Sequence, residues 1–137
     1  MAITIIKGDL FSSDCAYKAH CISEDAKMGK GIAATFCEYY PDLRDEIICQ
    51  SPKVGQCVQA NRIFNLITKK YYYNKPTLAT LKTSLIDLHN KLVLLGITEI
   101  AMPKIGCGLD RLAWIDVHKV LVDVFENSEI NIFVYEL

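Results

Sequence analysis

The sequence predicts a layered α/β domain built on a mixed β-sheet, and three observations carry that prediction. Short apolar segments of β-type composition alternate with longer ones whose apolar residues recur at helical spacing. No repeat, low-complexity tract or Pro/Gly/Ser-rich linker interrupts the alternation. The length, 137 residues, suits a single domain over 1–137. A chain of that size buries roughly 68% of the surface it exposes when unfolded, enough for a core without staples.

Each element follows from local pattern. Ile3 to Lys7 reads as a strand stopped by Gly8, and Tyr17 to Ile22 as a second apolar segment ending in Ser23-Glu24-Asp25. From Gly29 to about Tyr40 the composition turns helical (Ile32, Ala33, Ala34, Phe36), and Pro41 breaks it before a short helix ending near Gln50. Val54 to Val58 and Ile63 to Thr68 read as two strands joined by a turn over Gln59-Ala60-Asn61-Arg62. After Asn74-Lys75-Pro76, the residues Leu78, Leu81, Leu85, Leu88 and Leu92 mark one helical face, with Gly96 as the stop. Thr98 to Met102 is a strand and Pro103 to Arg111 a loop. Val117, Val120, Leu121, Val124 and Phe125 repeat the helical spacing. Ile130 to Leu137 ends the pattern as a strand. Its apolar residues point both ways, so both faces are expected to be covered.

Composition narrows the function. Hydrophobic residues make up 51% and charged residues 23%, which excludes disorder. The formal charge of −1 argues against gripping nucleic acid by bulk electrostatics. It leaves room for a small anionic ligand held by backbone amides. The apolar start is short and lacks a basic lead-in, and no run approaches the roughly 18 apolar residues of a membrane span. The expectation is a soluble intracellular protein with no membrane partner. None of the six cysteines forms a C-x-x-C pair, and no cluster has metal-ligand spacing. Free thiols acting as small hydrophobes, and no metal, are expected.

Three loops carry the chemistry. In an α/β sheet, ligands bind beyond the carboxyl ends of strands, where helix N-termini present unpaired amides. The loop Ser23-Glu24-Asp25-Ala26-Lys27-Met28-Gly29-Lys30-Gly31 follows a strand and opens a helix. So does Ile105-Gly106-Cys107-Gly108-Leu109-Asp110. Paired Gly-x-Gly loops let backbone approach a diphosphate closely, although each alone is also compatible with a tight turn. Neither matches the Rossmann or P-loop pattern. In the third loop, Gly8-Asp9-Leu10-Phe11, the aspartate either caps a turn or accepts from an exocyclic amine such as that of adenine.

These segments together resemble the macrodomain family, and within it the branch of terminal ADP-ribose protein glycohydrolases, O-acetyl-ADP-ribose deacetylases. The likeness lies in Lys7-Gly8-Asp9-Leu10-Phe11, the stretch from Ala19 to Ala33, Leu66-Ile67-Thr68-Lys69-Lys70, Lys75-Pro76-Thr77, and Met102 to Leu112. It runs the length of the chain and is weakest from Glu38 to Asn65. The resemblance implies a three-layer α/β/α fold. By similarity Asp9 would bind the adenine amine, and its neighbour Leu10 would also line the substrate site. Gly29 and Gly31 would contact the diphosphate and distal ribose, with Ser23 nearby and Met28 and Ile32 also lining the substrate site. Gly106, Cys107, Gly108 and Leu109 would wrap the diphosphate from the other side through their amides, with Ile105 also counted in the substrate site.

The resemblance places the chemistry on Lys69 and Asp110. The implied reaction releases ADP-ribose from a glutamate or aspartate side chain esterified at C1″ of the distal ribose, with deacylation of O-acetyl-ADP-ribose as a related activity. The implied partners are ADP-ribose, mono-ADP-ribosylated proteins and, as an open alternative, ADP-ribosylated nucleic acid. A monomer without cofactor, cytoplasmic and nuclear, is expected. Physical chemistry fits the pair. A lysine is a nucleophile only as the free amine, and its reference pKa of about 10.4 keeps that form scarce at neutral pH. Partial burial, or a cation such as Lys70, would favour it. Lys69 would attack C1″ of the ring-opened sugar to give an imine-type adduct. Asp110 would assist ring opening or leaving-group departure and activate water. A carboxylate alone favours the ammonium, so the two are expected to approach only with substrate between them.

Plainer roles stand beside these. A lysine at a strand end is ordinarily a solvated charge, and Asp110 could cap a helix beginning near Trp114. His20, inside an apolar strand, reads as a hydrogen-bonded core histidine, and Cys107 as a backbone donor rather than a nucleophile. Tyr71-Tyr72-Tyr73 could stack on a base or cover an edge. Many macrodomains carry an asparagine-rich segment and a run of glycines that position water. Here that stretch is His20-Cys21-Ile22-Ser23 and then Met28-Gly29-Lys30-Gly31, which favours the lysine route. Two other functions stay open: a reader that binds ADP-ribose without turnover, and a hydrolase of small derivatives such as O-acetyl-ADP-ribose or ADP-ribose 1″-phosphate.

Overall fold

A computed structural model describes all 137 residues, Met1–Leu137. In chain order the elements are β1 (Ala2–Lys7), a 3₁₀ turn (Leu10–Ser12), β2 (Lys18–Ser23), α1 (Gly31–Tyr39), α2 (Leu43–Ile48), β3 (Cys57–Ala60), β4 (Ile63–Lys69), α3 (Leu78–Leu95), β5 (Glu99–Pro103), α4 (Trp114–Phe125) and β6 (Asn131–Glu136). The six strands form one sheet in the order β1-β6-β5-β2-β4-β3. Neighbours from β1 to β4 pair in parallel and β3 pairs antiparallel to β4, so the sheet is mixed. No helix is long and apolar enough to cross a membrane.

Helices cover both faces, giving three layers. The predicted leucine stripe of α3 lies against the sheet, with Leu81, Leu85, Leu88 and Leu92 completely buried beside Val117, Leu121 and Phe125 of α4. Gly96 ends α3 in the left-handed conformation, φ 70°, as a C-terminal glycine should. On the opposite face, Phe36 of α1 and Leu43 and Ile47 of α2 pack over Ile22, Val58, Ile63 and Ile67. That second layer sits over the β2–β4–β3 half. On β6, Ile132 and Val134 are therefore fully buried while Phe133 and Tyr135 are half-buried. Only one face of β6 is sealed, contrary to the reading of its two-sided apolar pattern.

Two boundaries differ from the sequence reading. The turn between β3 and β4 has two residues, because Ala60 pairs with Ile63 and Asn61 takes φ 58°. Asparagine tolerates that conformation, so Gln59 and Ala60 join the strand and the turn tightens. Helix α1 starts at Gly31 rather than Gly29, because Lys30 is extended (φ −142°, ψ 160°).

The free edge of β3 is closed by side chains. Asp87 Oδ2 accepts from the Cys57 amide at 2.6 Å, Lys91 Nζ donates to the Cys57 carbonyl at 2.6 Å, and Gln50 Nε2 donates to the Gln59 carbonyl at 2.8 Å. These bonds occupy groups that would otherwise recruit another strand. A trench of about 780 Å³ runs along this edge. Its charges are committed to the backbone, and it lies away from the loops that carry the chemistry.

Candidate functional site

Because β1, β2, β4 and β5 run parallel, their carboxyl ends line one side of the sheet. That topology gathers Asp9, Ser23, Lys69 and the Gly106 loop, which lie far apart in sequence. It is where an open α/β sheet binds ligands.

One wall is the loop before α1. The Ser23 hydroxyl donates to Asp25 Oδ1, and the Ala26 amide donates to the Ser23 carbonyl at 3.0 Å. Met28 follows with φ 50° and a buried side chain. The amides of Gly29 and Lys30 find no acceptor in the protein, and that of Gly31, as the first helical residue, has none inside the helix. With the helix dipole, these donors suit an anion. Ser23 and Met28 are buried, so they face a ligand mainly through backbone; Ile32 is half-buried at the helix start.

The facing wall is the loop after β5. Gly106 takes φ 71°, and a Cβ there would sit 2.8 Å from Leu112 Cδ1. The Leu112 amide donates to the Gly106 carbonyl at 2.7 Å and the Arg111 amide to the Gly108 carbonyl at 3.1 Å. The Cys107 amide is already used, donating to the Lys104 carbonyl at 3.1 Å, so the expected donor role of Cys107 falls instead to Gly108, Leu109 and Asp110, whose amides have no acceptor. Ile105 is buried and anchors the loop's start in the core. The walls meet where Leu109 Cδ1 lies 3.2 Å from a Cβ built on Gly31. Gly106→Ala combines a backbone strain with a clash on Leu112. It should lower stability by about 1–3 kcal/mol, read as a fall in urea midpoint at unchanged slope.

Between the walls, Lys69 Nζ donates to Asp110 Oδ1 at 2.7 Å, with the two side chains 14% and 15% exposed. Lys69 is the last residue of β4, so the strand aims it at the cleft, while the glycine loop carries Asp110 across. Asp110 does not cap α4: the N-cap of that helix is Ala113, without a side-chain bond. The expectation that the pair meets only around substrate is also not what the geometry has. Two largely buried opposite charges left apart would each stay unpaired, which costs more than the contact. Lys70 lies outside, exposed, its Nζ 5.5 Å from the Tyr71 ring centre.

Neighbouring groups have settled protonation. Burial pushes the Cys21 thiol up, the Asp110 carboxylate adds to this, and the Gly106 amide bonded to it opposes. Burial also raises the Cys107 thiol. Neither is a ready thiolate. His20 is wholly buried, its Nε2 2.6 Å from Asn65 Oδ1, and burial lowers its pKa to about 4. It is a core histidine away from the amine. No group of three His, Cys, Asp or Glu side chains is placed to hold a metal ion.

Asp9 caps the 3₁₀ turn after β1, its Oδ1 accepting from the Phe11 amide at 3.0 Å, which leaves Oδ2 without a partner in the protein; Leu10 beside it is buried. Sequence reasoning missed Asp25 and Lys75. Asp25 Oδ2 accepts from the Tyr72 amide at 3.1 Å, joining the first wall to the segment after β4. Burial raises its carboxyl, but bonds from Ser23, Tyr72 and Lys27 outweigh that and hold it below the ordinary value. Lys75 Nζ donates to the Leu109 carbonyl at 2.8 Å. A long-range bond to a loop carbonyl leaves no sequence signal of its own.

No family model matches the chain. Comparison with individual proteins is more telling. The chain is 42% identical to human "ADP-ribose glycohydrolase OARD1" over 98% of its own length and 91% of that protein's. It is 32% identical over 90% of its length to the "DNA ADP-ribosyl glycohydrolase" of Mycobacterium tuberculosis, spanning 39% of that longer protein. Among solved structures, the macrodomain of Thermus aquaticus DarG superposes with a TM-score of 0.88, at 24% identity and 98% coverage of both chains. With that fold and that identity over nearly its whole length, the chain belongs to the macrodomain family, in its terminal ADP-ribose glycohydrolase branch.

Proposed function

We propose that the protein releases ADP-ribose from glutamate or aspartate side chains of modified proteins, with Lys69 as nucleophile and Asp110 as acid/base. The observation that carries this is the 2.7 Å contact between Lys69 Nζ and Asp110 Oδ1, set between two walls of unpaired amides. Across the sheet the loop after β1 carries Asp9, the loops after β5 and β2 carry the amides, and β4 carries the amine, an order that suits adenine, diphosphate and distal ribose. The relatives' names as ADP-ribose glycohydrolases support the same reading.

The chemistry balances on these two residues. Arriving substrate separates the pair, and a proton passes from the ammonium to the carboxylate. The amine lone pair forms a bond to C1″ as the C1″–O bond to the target carboxylate breaks, with the ejected oxygen protonated by Asp110. Opening of the sugar ring turns the C1″–N bond into an imine, the ring oxygen taking the proton lost by nitrogen. Asp110 then removes a proton from water as it adds to C1″. Cleavage of C1″–N restores Lys69 and frees ADP-ribose. O-acetyl-ADP-ribose fits the same route with acetate as the leaving group.

Incubation with a glutamate-linked mono-ADP-ribosylated protein tests this: free ADP-ribose and unmodified protein should accumulate. Calorimetric binding of ADP-ribose with no product would instead mean a reader.

A second substrate is favoured by the cleft's rim. Tyr71, Tyr72 and Tyr73 are all exposed, with Tyr71 and Tyr73 stacked 5.4 Å apart at 9° and Lys27 Nζ 4.1 Å over Tyr72. They follow Lys69 after Lys70, just past the end of the strand that carries the amine. Aromatic faces with lysines suit single-stranded nucleic acid, each stacked base contributing about 1–3 kcal/mol. Tyr73→Ala should raise KM for an oligonucleotide-linked ADP-ribose about tenfold and leave O-acetyl-ADP-ribose unchanged. Equal effects on both would remove this reading.

A further inference from the structure

We infer that Lys75 is a positioning residue for Asp110, acting through the Leu109 carbonyl; the inference rests on the proposed roles of Lys69 and Asp110. The carbonyl that Lys75 holds at 2.8 Å belongs to the peptide unit whose nitrogen is the Asp110 amide. That unit sits in a loop whose apolar anchors, Ile105, Cys107 and Leu112, lie on either side of residues 108–110. Its own bonds, from Arg111 to Gly108 and from Leu112 to Gly106, close it on itself. At its start the Cys107 amide is tied to the Lys104 carbonyl and the Gly106 amide to the Cys21 thiol; at its far end the polar ties to the rest of the protein are Asp110 to Lys69 and Leu109 to Lys75.

One far-end tie comes from the last residue of β4 and the other from the segment between β4 and α3, and that segment is braced. The Tyr71 amide donates to Asn74 Oδ1 at 2.9 Å and the Asn74 amide to the Tyr71 carbonyl at 2.9 Å. The Tyr72 amide is held by Asp25. Beyond Pro76, Thr77 and Thr80 form a reciprocal cap on α3, each amide donating to the other's hydroxyl at 3.1 Å. Lys75 thus projects from a short stretch fixed at both ends.

The two ties are not equivalent during turnover. Separation of Lys69 from Asp110 removes one, and the Lys75 bond is then what keeps the carboxylate near the reacting atoms. A loop that drifts by about 1 Å at that moment costs on the order of a hundredfold in rate. Lys75 is exposed and its bond competes with water, so a smaller effect is expected.

The test uses Lys75→Met, which keeps the apolar stem, and Lys75→Arg, which keeps the donor. With the fold checked by circular dichroism, Lys75→Met should lower kcat about tenfold and change KM for a glutamate-linked substrate less than twofold. Lys75→Arg should recover most of the rate. In an Asp110→Asn background, Lys75→Met should cost nothing further. Independently of turnover, NMR order parameters over 108–111 should fall in Lys75→Met. Unchanged kcat with unchanged order parameters overturns the inference. A raised KM at constant kcat overturns it too, making Lys75 a substrate ligand. Should the unaltered protein release no ADP-ribose, the functional reading falls, and the order parameters alone decide whether Lys75 holds the loop.

Discussion

Lys69→Ala is expected to lower kcat for ADP-ribose release by at least about a hundredfold, while ADP-ribose itself still binds. Removing the amine takes away the only basic side chain paired with Asp110 in the cleft. The unpaired amides of both walls remain, so calorimetry should find affinity within a few-fold of the original. Lys69→Arg should not restore activity, because a guanidinium stays protonated and has no lone pair to form the bond to C1″. Asp110→Asn should slow turnover comparably, since the amide can neither take the ammonium proton nor activate water. Borohydride should trap an adduct at Lys69 in the unaltered protein and in no Lys69 variant. A Lys69→Ala protein that turns over normally would remove the nucleophile role and put the chemistry on other groups of the site.

The second large effect is on stability in acid. Burial lowers the His20 pKa from 6.5 to about 4, against a smaller opposing effect of the Asn65 hydrogen bond. The unfolded chain therefore binds this proton more readily than the folded one. The contribution is fully present above pH 6.5 and is lost progressively as pH falls toward 4. At 1.36 kcal/mol per pKa unit the loss totals about 3 kcal/mol. Urea unfolding at pH 7 and pH 4.5 should show most of it. His20→Gln, which still offers Asn65 a donor but cannot titrate in this range, should flatten the dependence. Asp25 and Glu136, held below their ordinary values of 3.8 and 4.5, add to acid loss only below those values. An unchanged slope in His20→Gln would mean that another group carries the acid response.

Legibility in the sequence followed the range of the interaction. The stripe of α3 and the stop at Gly96 were readable because period and cap are local, and their burial follows once any sheet is present. The same holds for the core role of His20 within an apolar strand. The two-residue turn after Ala60 was not readable, because pairing with Ile63 decides which residues belong to strand. The half-open face of β6 escaped for a similar reason: apolar residues on both sides do not say where α1 and α2 will sit.

The candidate site divides along the same line. The glycine loops, and Lys69 and Asp110 within segments resembling a known family, were visible because each lies in a short stretch of chain. Their meeting was not. Residues 69 and 110 are brought together by parallel β2, β4 and β5, whose carboxyl ends share one side of the sheet. The sequence by itself determined the elements, the layered class and the chemical types available. Only the tertiary structure decided that the amine and carboxylate touch at rest, that the Cys107 amide is already occupied, and that Lys75 reaches Leu109. The reason is that hydrogen bonds and ion pairs act over about 3 Å. At that range, partners are chosen by the packing of whole elements, and no local pattern of residues records the choice.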